Sequence, residues 1–553
     1  MPVIDVNLED LRGLLGKDVT LDELKDRLPM MGTGWEGETD EGFQLEVFPN
    51  RPDLLSIEGL ARAYASFTGL QTGLREYEVK EAGYKVNVEK KVEGVRPYFV
   101  TAVVKNVEFD DPLIRSIIQM QEKLHVTHGR KRRKVAIGLH NLEPIQFPVT
   151  YTTKPPEFKF RPLGERFEKD LTQILTEMHT EYAWIVEGFE EYPMILDSKG
   201  MVLSMPPIIN GEYTRIDEAT RDIFIDVTGT DLKAITEVLN IIVTTFADRG
   251  ADIYAVENSY YNGGLLKTPD LKPREMELDN DYVNGTLGMA FTPEETAALL
   301  TKMGHDAVPG ETLIVKMPSY RTDIMHPMDL VEDVAIAYGY DKFVPEIPDI
   351  ASEAGEDPLE VFSRGLRNFL VGFGLQEVVT FMMSNREKLF GRMTLPEEPI
   401  AETENPKMEG YTCLRNRLLP SLVEVLSTNK HYPYPQNVYE VDDVVLIDDS
   451  TETGARSARR LAIAICHARA NFSEVKAVMN SILENLGLEA EIQDGGLDCF
   501  IEGRRYLAKV GGRPICWAGE LKPEVLAGWD LEMPVAALEM DVDELFELTK
   551  PAD

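Results

Sequence analysis

The sequence predicts a multidomain α+β protein, and three observations support this prediction. Its 553 residues are more than the ~100–200 residues of one typical domain. With 43% hydrophobic and 27% charged residues, the composition is that of an ordinary globular protein. Strand-like and helix-like apolar patterns follow one another along the chain, with Pro- and Gly-rich stretches at 259–275 and 344–358. We expect domains at residues 1–90, 91–265, 270–348 and 355–553.

The first of these domains mixes strand and helix patterns. Residues 1–15 begin with alternating apolar side chains and continue with helical spacing. Residues 56–69 predict a helix, with Ser56 as its N-cap and Gly69 as its stop. The segment FPNRPDLL, residues 48–55, is predicted to be a loop stiffened by its prolines. We therefore expect an N-terminal α+β domain.

The second domain opens with strand-like runs from Arg96 and contains one dense basic cluster, HGRKRRK at residues 128–134. Two interpretations of this cluster stay open. It is either a solvated loop before the strand-like run VAIGL, or a local contact to phosphate groups.

The third domain combines a well-capped helix with a strand and a second helix. Thr292 and Glu295 form a capping box around Pro293 at the first helical position, and Gly304 is predicted to end the helix. The strand LIVKM, the loop SYRTDIM and a helix starting at PMDL follow. This order predicts a winged-helix-like module.

The start of that last helix carries clustered acids. Asp329, Glu332 and Asp333 stand at i, i+3 and i+4 and share one helix face, and Asp323 in the preceding loop can fold back towards them. Such carboxylates are hard oxygen ligands that suit Mg²⁺ or Ca²⁺. The alternative is a group of acids placed favourably near a helix N-terminus on a solvated face.

Charge and motifs exclude several classes of function. With 57 Lys and Arg against 95 Asp and Glu, the net charge is -38, which argues against a protein that coats nucleic acid or an anionic membrane. No apolar run approaches the ~20 residues of a membrane span, no signal peptide is evident, and the four cysteines are scattered. We therefore expect a cytoplasmic protein without membrane contact. The phosphate-loop, dinucleotide-binding and GxSxG signatures are absent from the sequence.

Three motifs occur in an order that resembles a known family. They are FPNRPDLLSIEGLARA (48–63), RTDIMHPMDLVEDVAIAYGYDKFVPEIP (321–348), and GFGLQEVVTFMMSN (372–385) followed by RNRLLPSL (415–422). Together they resemble the β subunits of phenylalanyl–tRNA synthetases in their shorter archaeal and eukaryotic form, over essentially the whole chain. The resemblance implies an α2β2 enzyme that charges tRNA(Phe) with phenylalanine at the expense of ATP, with the synthetic chemistry in the α subunit.

The resemblance also implies roles for parts of this chain. The β subunit would provide scaffold, contacts to the α subunit and to tRNA(Phe), and hydrolytic editing of Tyr-tRNA(Phe); the alternative is a scaffold that has lost editing. Residues 355–553 would form a class II synthetase-like antiparallel sheet with helices but without active-site motifs, in which Arg415 and Arg417 are fold or interface residues. The C-terminal anticodon-binding domain and the inserted barrel of longer relatives are expected to be absent. The acids that match the family's Mg²⁺ ligands are Asp323, Asp329, Glu332 and Asp333.

The implied editing site falls in the domain at 91–265. VLSMPPIING (202–211) resembles the family's editing loop and offers Ser204 and Asn210. Asp226 and Thr228 lie two residues apart on one predicted strand face, so both are expected to point into one pocket. The alternative is ordinary turn chemistry at a strand end.

One histidine, His140, stands near the end of another predicted strand. It could reach the ester, although a single histidine there is more often structural. Since the chain is acidic, we expect weak tRNA binding by β alone and salt-sensitive binding by the complex.

Overall fold

The computed structural model describes residues 2–550, and the chain divides into two compact units, of which the first ends at Ile347 and the second begins at Pro348. The first unit contains three β-sheets of three or more strands, flanked by helices, and a two-stranded ribbon, and the second is built on one seven-stranded sheet. None of the helices between residues 2 and 550 has the length and apolar character needed to cross a bilayer. The protein is therefore a mixed α/β multidomain structure.

The N-terminal sheet is antiparallel with strand order β1-β3-β2. Its elements are β1 (Val3–Asn7), α1 (Leu8–Leu15), α2 (Leu21–Arg27), β2 (Thr33–Thr39), β3 (Gly42–Val47) and α3 (Ile57–Phe67). The side chain of Ser56 accepts the Gly59 N–H at 3.1 Å and caps α3. Gly69 follows the helix with φ +80°, a left-handed conformation that favours glycine. The predicted cap and stop are confirmed.

A ten-stranded sheet forms the middle of the first unit, in the order β12-β11-β10-β7-β4-β14-β5-β13-β6, with β15 added beside β14. Its strands are β4 (Val79–Val88), β5 (Tyr98–Lys105), β6 (Val135–Asn141), β7 (Val149–Lys154), β10 (Tyr192–Leu196), β11 (Val202–Met205), β12 (Ile209–Asn210), β13 (Ile223–Gly229), β14 (Asp252–Tyr260) and β15 (Leu265–Thr268). The helices are α4 (Asp111–Val126), the short α5 (Leu171–Gln173) and α6 (Leu232–Ala247), and a separate ribbon pairs β8 (Lys159–Phe160) with β9 (Lys169–Asp170).

Strand β13 shows why this sheet can hold both a core and a polar site. Ile223, Ile225 and Val227 pack into the core that contains the apolar faces of α4 and α6. Asp226 and Thr228 alternate with them and lie on the opposite face, although both are buried. The predicted strand and its alternation are confirmed.

The sheet curls until its two edge strands approach each other. The Nδ2 group of Asn210 on β12 donates to the carbonyl oxygen of Leu139 on β6 at 3.3 Å. These strands stand at opposite ends of the strand order. The curl therefore creates a seam that brings residues far apart in sequence together.

The last part of the first unit is a small three-stranded sheet, in the order β16-β18-β17, covered by three helices. Its elements are β16 (Arg274–Asp279), α7 (Asn280–Leu287), α8 (Pro293–Lys302), β17 (Asp306–Val308), β18 (Thr312–Met317) and α9 (Pro327–Tyr338). Both halves of the Thr292–Glu295 capping box are formed at α8, as predicted. The predicted helix, strand and helix are present as α8, β18 and α9, with β17 paired to β18 and a further strand and helix before them.

The second unit contains a seven-stranded sheet in the order β19-β22-β23-β27-β26-β25-β24. Its strands are β19 (Gln376–Glu377), β20 (Met383–Ser384), β21 (Cys413–Leu414), β22 (Gln436–Ile447), β23 (Ala455–Cys466), β24 (Glu491–Gln493), β25 (Phe500–Val510), β26 (Arg513–Leu521) and β27 (Val535–Asp541), of which β20 and β21 form a separate pair. Its helices are α10 (Pro358–Val371), α11 (Leu419–Thr428), α12 (Phe472–Asn485), α13 (Pro523–Gly528) and α14 (Val542–Thr549). All pairings are antiparallel except that of β19 with β22.

Arg415 is wholly buried in this unit. Its guanidinium group lies 3.1 Å from Glu440 and 2.8 Å from Asp442. Both ion pairs engage Arg415 inside its own unit, which agrees with a role in the fold.

Candidate functional site

A cleft of about 540 Å³ opens at the seam of the ten-stranded sheet. Its walls come from β6, from the loop between β11 and β12, from the end of α4 and from the segment after α5. Its lining is mixed, with apolar side chains beside charged and other polar ones. The lining residues used below are Gln121, Glu122, His125, Arg132, Ile137, Gly138, Leu163, Tyr182, Ser204, Pro206, Ile208, Asn210 and Asp226.

Asp226 lies at the floor of the cleft. Its Oδ2 accepts a hydrogen bond from His140 Nε2 at 2.7 Å, and the other ring nitrogen of His140 lies 2.7 Å from Thr214 Oγ1. His140 and Thr214 are buried behind the carboxylate, and neither lines the cleft. His140 is therefore placed to orient Asp226 and has no route to a ligand in the cleft.

Gly138 makes room for this arrangement. It is the residue directly opposite Asp226 in the pairing of β6 with β13. A Cβ atom on Gly138 would clash with Asp226 Oδ2 and would lie 2.8 Å from His140 Nε2. Only glycine at this register position lets the Asp226 carboxylate cross the neighbouring strand towards the cleft.

Thr228 lies on the same strand face as Asp226 but does not line the cleft. The buried guanidinium of Arg96 donates to Thr228 Oγ1 at 2.9 Å and to the Thr228 carbonyl at 2.7 Å. Burial lowers the pKa of Arg96 to about 10, while the nearby charge of Asp226 acts in the opposite direction. The expectation that both side chains point into one pocket is met by Asp226 alone, because Thr228 is engaged by Arg96.

Ser204 and Asn210 both line the cleft, as expected from their loop. They face each other in the short pairing of β11 with β12. Ser204 is buried, whereas Asn210 is half-buried and bonded across the seam to Leu139. The structure thus brings together three of the four predicted residues, Asp226, Ser204 and Asn210.

Glu122 and His125 at the end of α4, and Arg132 in the loop after it, line the cleft but were not predicted as site residues. The Nη2 atom of Arg132 lies 2.7 Å from Glu122 Oε1, its Nη1 donates to the Ile208 carbonyl at 3.1 Å, and its guanidinium covers the Tyr182 ring at 4.1 Å. The hydrogen bond from His125 and the charge of Arg132 lower the pKa of Glu122 to about 2. The available signal was the i, i+3 spacing of Glu122 and His125 just before the basic cluster.

The predicted metal ligands lie around the start of α9. Arg321 is wholly buried, and its Nη2 lies 2.8 Å from both Asp323 Oδ2 and Asp333 Oδ2. Asp333 also accepts from His305 Nε2 at 2.7 Å. Asp323 and Asp333 are therefore already neutralised by groups of this chain, and the Arg321 charge holds the pKa of both carboxyls below their ordinary values against the effect of burial.

The other two acids behave differently. Asp329 Oδ2 accepts the N–H groups of Met325 and His326 at 2.7 Å and caps α9. Glu332 is exposed, and partial desolvation together with Asp333, Asp329 and Asp323 raises its pKa. Residues 2–550 contain no group of three or more acids, histidines or cysteines disposed to hold a metal ion. The Mg²⁺ ligand set therefore stays a prediction.

Family models match most of the chain. A "Phenylalanyl tRNA synthetase beta chain CLM domain" matches residues 345–542, a "tRNA synthetase B5 domain" matches 276–340, and a "B3/4 domain" matches 96–255. The cleft residues from Gln121 to Asp226 lie within the last of these matches, and the acids of α9 lie within the second.

Curated relatives match the chain over nearly its full length. The "Phenylalanine--tRNA ligase beta subunit" of Thermococcus sibiricus is 41% identical over 550 residues, covering 98% of each chain. That of Archaeoglobus fulgidus is 41% identical over 554 residues, covering 99% of each. A crystal structure of an N-terminal fragment of the phenylalanyl-tRNA synthetase β subunit from Pyrococcus horikoshii is 38% identical with a TM-score of 0.59, covering 61% of this chain and 99% of the fragment. The chain therefore belongs to the family of phenylalanine–tRNA ligase β subunits.

Proposed function

We propose that this chain is the β subunit of an enzyme that joins phenylalanine to tRNA(Phe), and that its cleft hydrolyses Tyr-tRNA(Phe). Family membership supports the first part. One observation supports the second: the Asp226 carboxylate, held by His140, lines a cleft that also offers apolar side chains.

Such a cleft suits the distinction between tyrosine and phenylalanine. A synthetic site that binds phenylalanine rejects an added hydroxyl only by about 10²-fold, so a second selection is needed. In the cleft, Ile137 and Ile208 offer apolar contacts for an aromatic ring, and Asp226 can accept a hydrogen bond from a phenol O–H. A phenylalanine ring would leave this buried carboxylate without that donor, which is costly.

The proposed reaction is the hydrolysis of an ester. Water adds to the tyrosine carbonyl, the bond from that carbon to the ribose oxygen breaks, and the proton of water goes to the ribose oxygen. Ser204 and Asn210 place short polar groups beside the ring site, where they can orient the ester or the water. The contribution of His140 is to fix Asp226, because its side chain is wholly buried.

An exposed apolar surface in the second unit supports a partner subunit. After the edge strand β19, Val379 and Phe381 have side chains that are 84% and 74% exposed. Val361 and Val371 on α10 and Phe373 just after it are also exposed. Exposed apolar groups concentrated in this way are typical of interaction sites. We assign this surface, which we call the α10–β19 surface, to contact with the α subunit.

Substitution of Asp226 tests the editing proposal. Asp226→Ala and Asp226→Asn are expected to slow deacylation of preformed Tyr-tRNA(Phe) by about 10²-fold or more, since a misplaced or missing binding group at a reaction site costs at least that much. Asp222→Asn is the matched control, because Asp222 lies four residues earlier, outside the cleft. Thr228→Ser should retain activity and Thr228→Ala should lose it, because Arg96 needs the Oγ1 acceptor.

The alternative, a scaffold that kept the fold and lost editing, predicts a different result. In that case the unmodified chain would not accelerate deacylation of Tyr-tRNA(Phe) above the rate without protein. Undiminished deacylation by both Asp226 variants would instead exclude the cleft as the site.

A further inference from the structure

The loop between α4 and β6 has an unusual backbone. Arg130, Lys131 and Arg132 have φ values of +48°, +54° and +67°. The left-handed conformation is unfavourable for side chains with a Cβ atom, and it rarely occurs at consecutive residues other than glycine. Local strain of this kind is often kept where it serves a function. Residues 129–134 are called the basic loop below.

The backbone of the basic loop caps the end of α4. The N–H of Lys131 donates to the Val126 carbonyl at 3.3 Å, and the N–H of Arg132 donates to the His125 carbonyl at 3.0 Å. The N–H of Lys134 closes the loop on Gly129 at 2.8 Å. These backbone hydrogen bonds offset the cost of the left-handed conformation and fix the direction in which each side chain of the loop points.

Some cations of the basic loop are paired within the chain, and others are exposed to solvent. Arg132 turns into the cleft, where it meets Glu122 and the Ile208 carbonyl, and Lys134 pairs with Asp231 at 3.1 Å. Arg130, Lys131 and Arg133 are exposed, and within residues 2–550 their side chains form no ion pair or hydrogen bond. In a chain with 95 acids and 57 Lys and Arg, three unpaired cations within four residues are a candidate site for anions.

Two exposed aromatic side chains follow closely in sequence on residues of the cleft wall. Trp184 is 45% exposed and lies two residues after Tyr182, whose ring is covered by Arg132. Phe167 is 76% exposed and lies four residues after Leu163, which lines the cleft. Cations together with exposed aromatic rings are the combination that binds single-stranded nucleic acid, through phosphate contacts and base stacking.

We propose that Arg130, Lys131 and Arg133 bind the backbone phosphates of the single-stranded 3′ end of an RNA whose terminal nucleotide enters the cleft. This inference rests on the proposed hydrolysis of an ester on a terminal ribose. It adds the means by which an acidic chain holds that substrate. Arg132 links the two parts, because its backbone belongs to the basic loop and its side chain belongs to the cleft wall.

The test removes the three free cations from the full chain. Asparagine tolerates the left-handed backbone, so the variant is Arg130→Asn, Lys131→Asn, Arg133→Gln. Lys90→Gln, Lys199→Gln, Lys272→Gln is the matched control, since these three lysines are exposed and their side chains are unpaired within the described residues. Two substrates are compared: Tyr-tRNA(Phe), and a tyrosine ester of adenosine that has no phosphate.

We expect the loop variant to raise KM for Tyr-tRNA(Phe) by about ten-fold or more. The plot of log binding constant against log salt concentration should become less steep by about 2, since each lost phosphate contact on a single strand changes this slope by ~0.7. The kcat for this substrate, and hydrolysis of the adenosine ester, should match those of the control variant. An equal KM and an equal salt slope in the two variants would overturn the proposal. So would weaker association with the partner subunit together with unchanged RNA binding, because the loop would then be a protein contact.

The experiments distinguish a wrong proposal about hydrolysis from a wrong proposal about RNA binding by the basic loop. If the unmodified chain hydrolyses neither substrate, binding of uncharged tRNA(Phe) and of a single-stranded RNA with its 3′-terminal sequence still tests the loop. Lower affinity of the loop variant than of the control for both RNAs would support it. Equal affinity of the two variants would refute it.

Discussion

At the scale of single residues, the shape of the cleft floor depends on a missing side chain. Gly138 faces Asp226 across the β6–β13 pairing, and the carboxylate occupies the space where a Cβ atom would stand. The Asp226–His140 bond depends on the same space. The site therefore contains a backbone requirement that the chemistry of its side chains does not reveal.

We predict that Gly138→Ala abolishes most deacylation of Tyr-tRNA(Phe). The new methyl group must displace Asp226, and a displacement of about 1 Å at a reacting site costs roughly 10²-fold in rate. The matched control is Gly37→Ala, since a Cβ atom on Gly37 in strand β2 would meet nothing within 4 Å. Rates of the two variants, measured with their melting temperatures, check the prediction. A Gly138→Ala protein as active as the control would contradict it.

Another property at the scale of single residues is the pH dependence of folding stability that His125 and Glu122 at the end of α4 produce. His125 Nε2 accepts the Ile137 N–H at 2.9 Å, so the buried imidazole is neutral, and burial lowers its pKa from the ordinary 6.5. Glu122 has its pKa lowered to about 2. In both cases the unfolded chain binds more protons than the folded one, so stability rises with pH. The contribution of His125 to folding stability is complete above pH 6.5 and decreases below it. The contribution of Glu122 to folding stability is lost between pH 4.5 and about pH 2.

We expect His125→Gln to flatten the fall in the urea midpoint of unfolding between about pH 7 and 5, because glutamine can accept the Ile137 N–H without titrating. The exposed His431 is the control, as His431→Gln should keep the slope of the unmodified protein. The same slope in both variants would show that His125 is not neutral in the folded state.

At the scale of elements, local signals in the sequence predicted several starts and faces correctly. The Ser56 cap of α3, the capping box of α8 and the alternation of β13 all depend on residues within a few positions of each other. The Asn210–Leu139 bond joins residues 71 positions apart and requires the curl of the sheet. The Arg96–Thr228 bond spans 132 positions and removes Thr228 from the cleft. No spacing within one element could have predicted either contact.

Helix α9 shows a local signal that was available but not used. Arg321 stands only two residues before Asp323, in the same motif as the four acids. Its buried guanidinium binds both Asp323 and Asp333, so the repulsion that the spacing predicts is largely relieved inside the chain. The arginine lowers the repulsion between the acids, so this motif needs a bound cation less than a motif with four acids alone would.

We predict that Mg²⁺ has almost no effect on the isolated chain. Addition of about 10 mM MgCl2 should shift the melting temperature by less than ~1 °C, because stabilisation by a ligand requires a site already formed in the folded state. Melting curves with Mg²⁺, with Ca²⁺ and with chelator check this, and the complex with the partner subunit provides the comparison. A saturable rise in melting temperature of the isolated chain would show that the four acids do form a site.

At the scale of the whole molecule, the net charge is -38, and the cations that remain matter because of where they lie. Buried cations such as Arg96, Arg321 and Arg415 are engaged within their own units and do not contribute to an RNA-binding surface. Chains with such an acidic surface repel phosphate except where cations remain unpaired. In our proposals, RNA binds the basic loop and the partner subunit binds the α10–β19 surface, so we expect substitutions to alter the two kinds of binding separately.

Assembly is the last property we predict. The double variant Val379→Ser, Phe381→Ser should weaken association with the α subunit by about 30-fold, since loss of a central apolar contact in an interface costs about 2 kcal/mol or more. Met201→Ser, Leu265→Ser is the control, because these side chains are exposed in the first unit. Both double variants should melt close to the unmodified chain, since surface substitutions change stability little. Sedimentation of the co-expressed subunits measures association, and full assembly of the Val379, Phe381 variant would place the α subunit on another surface.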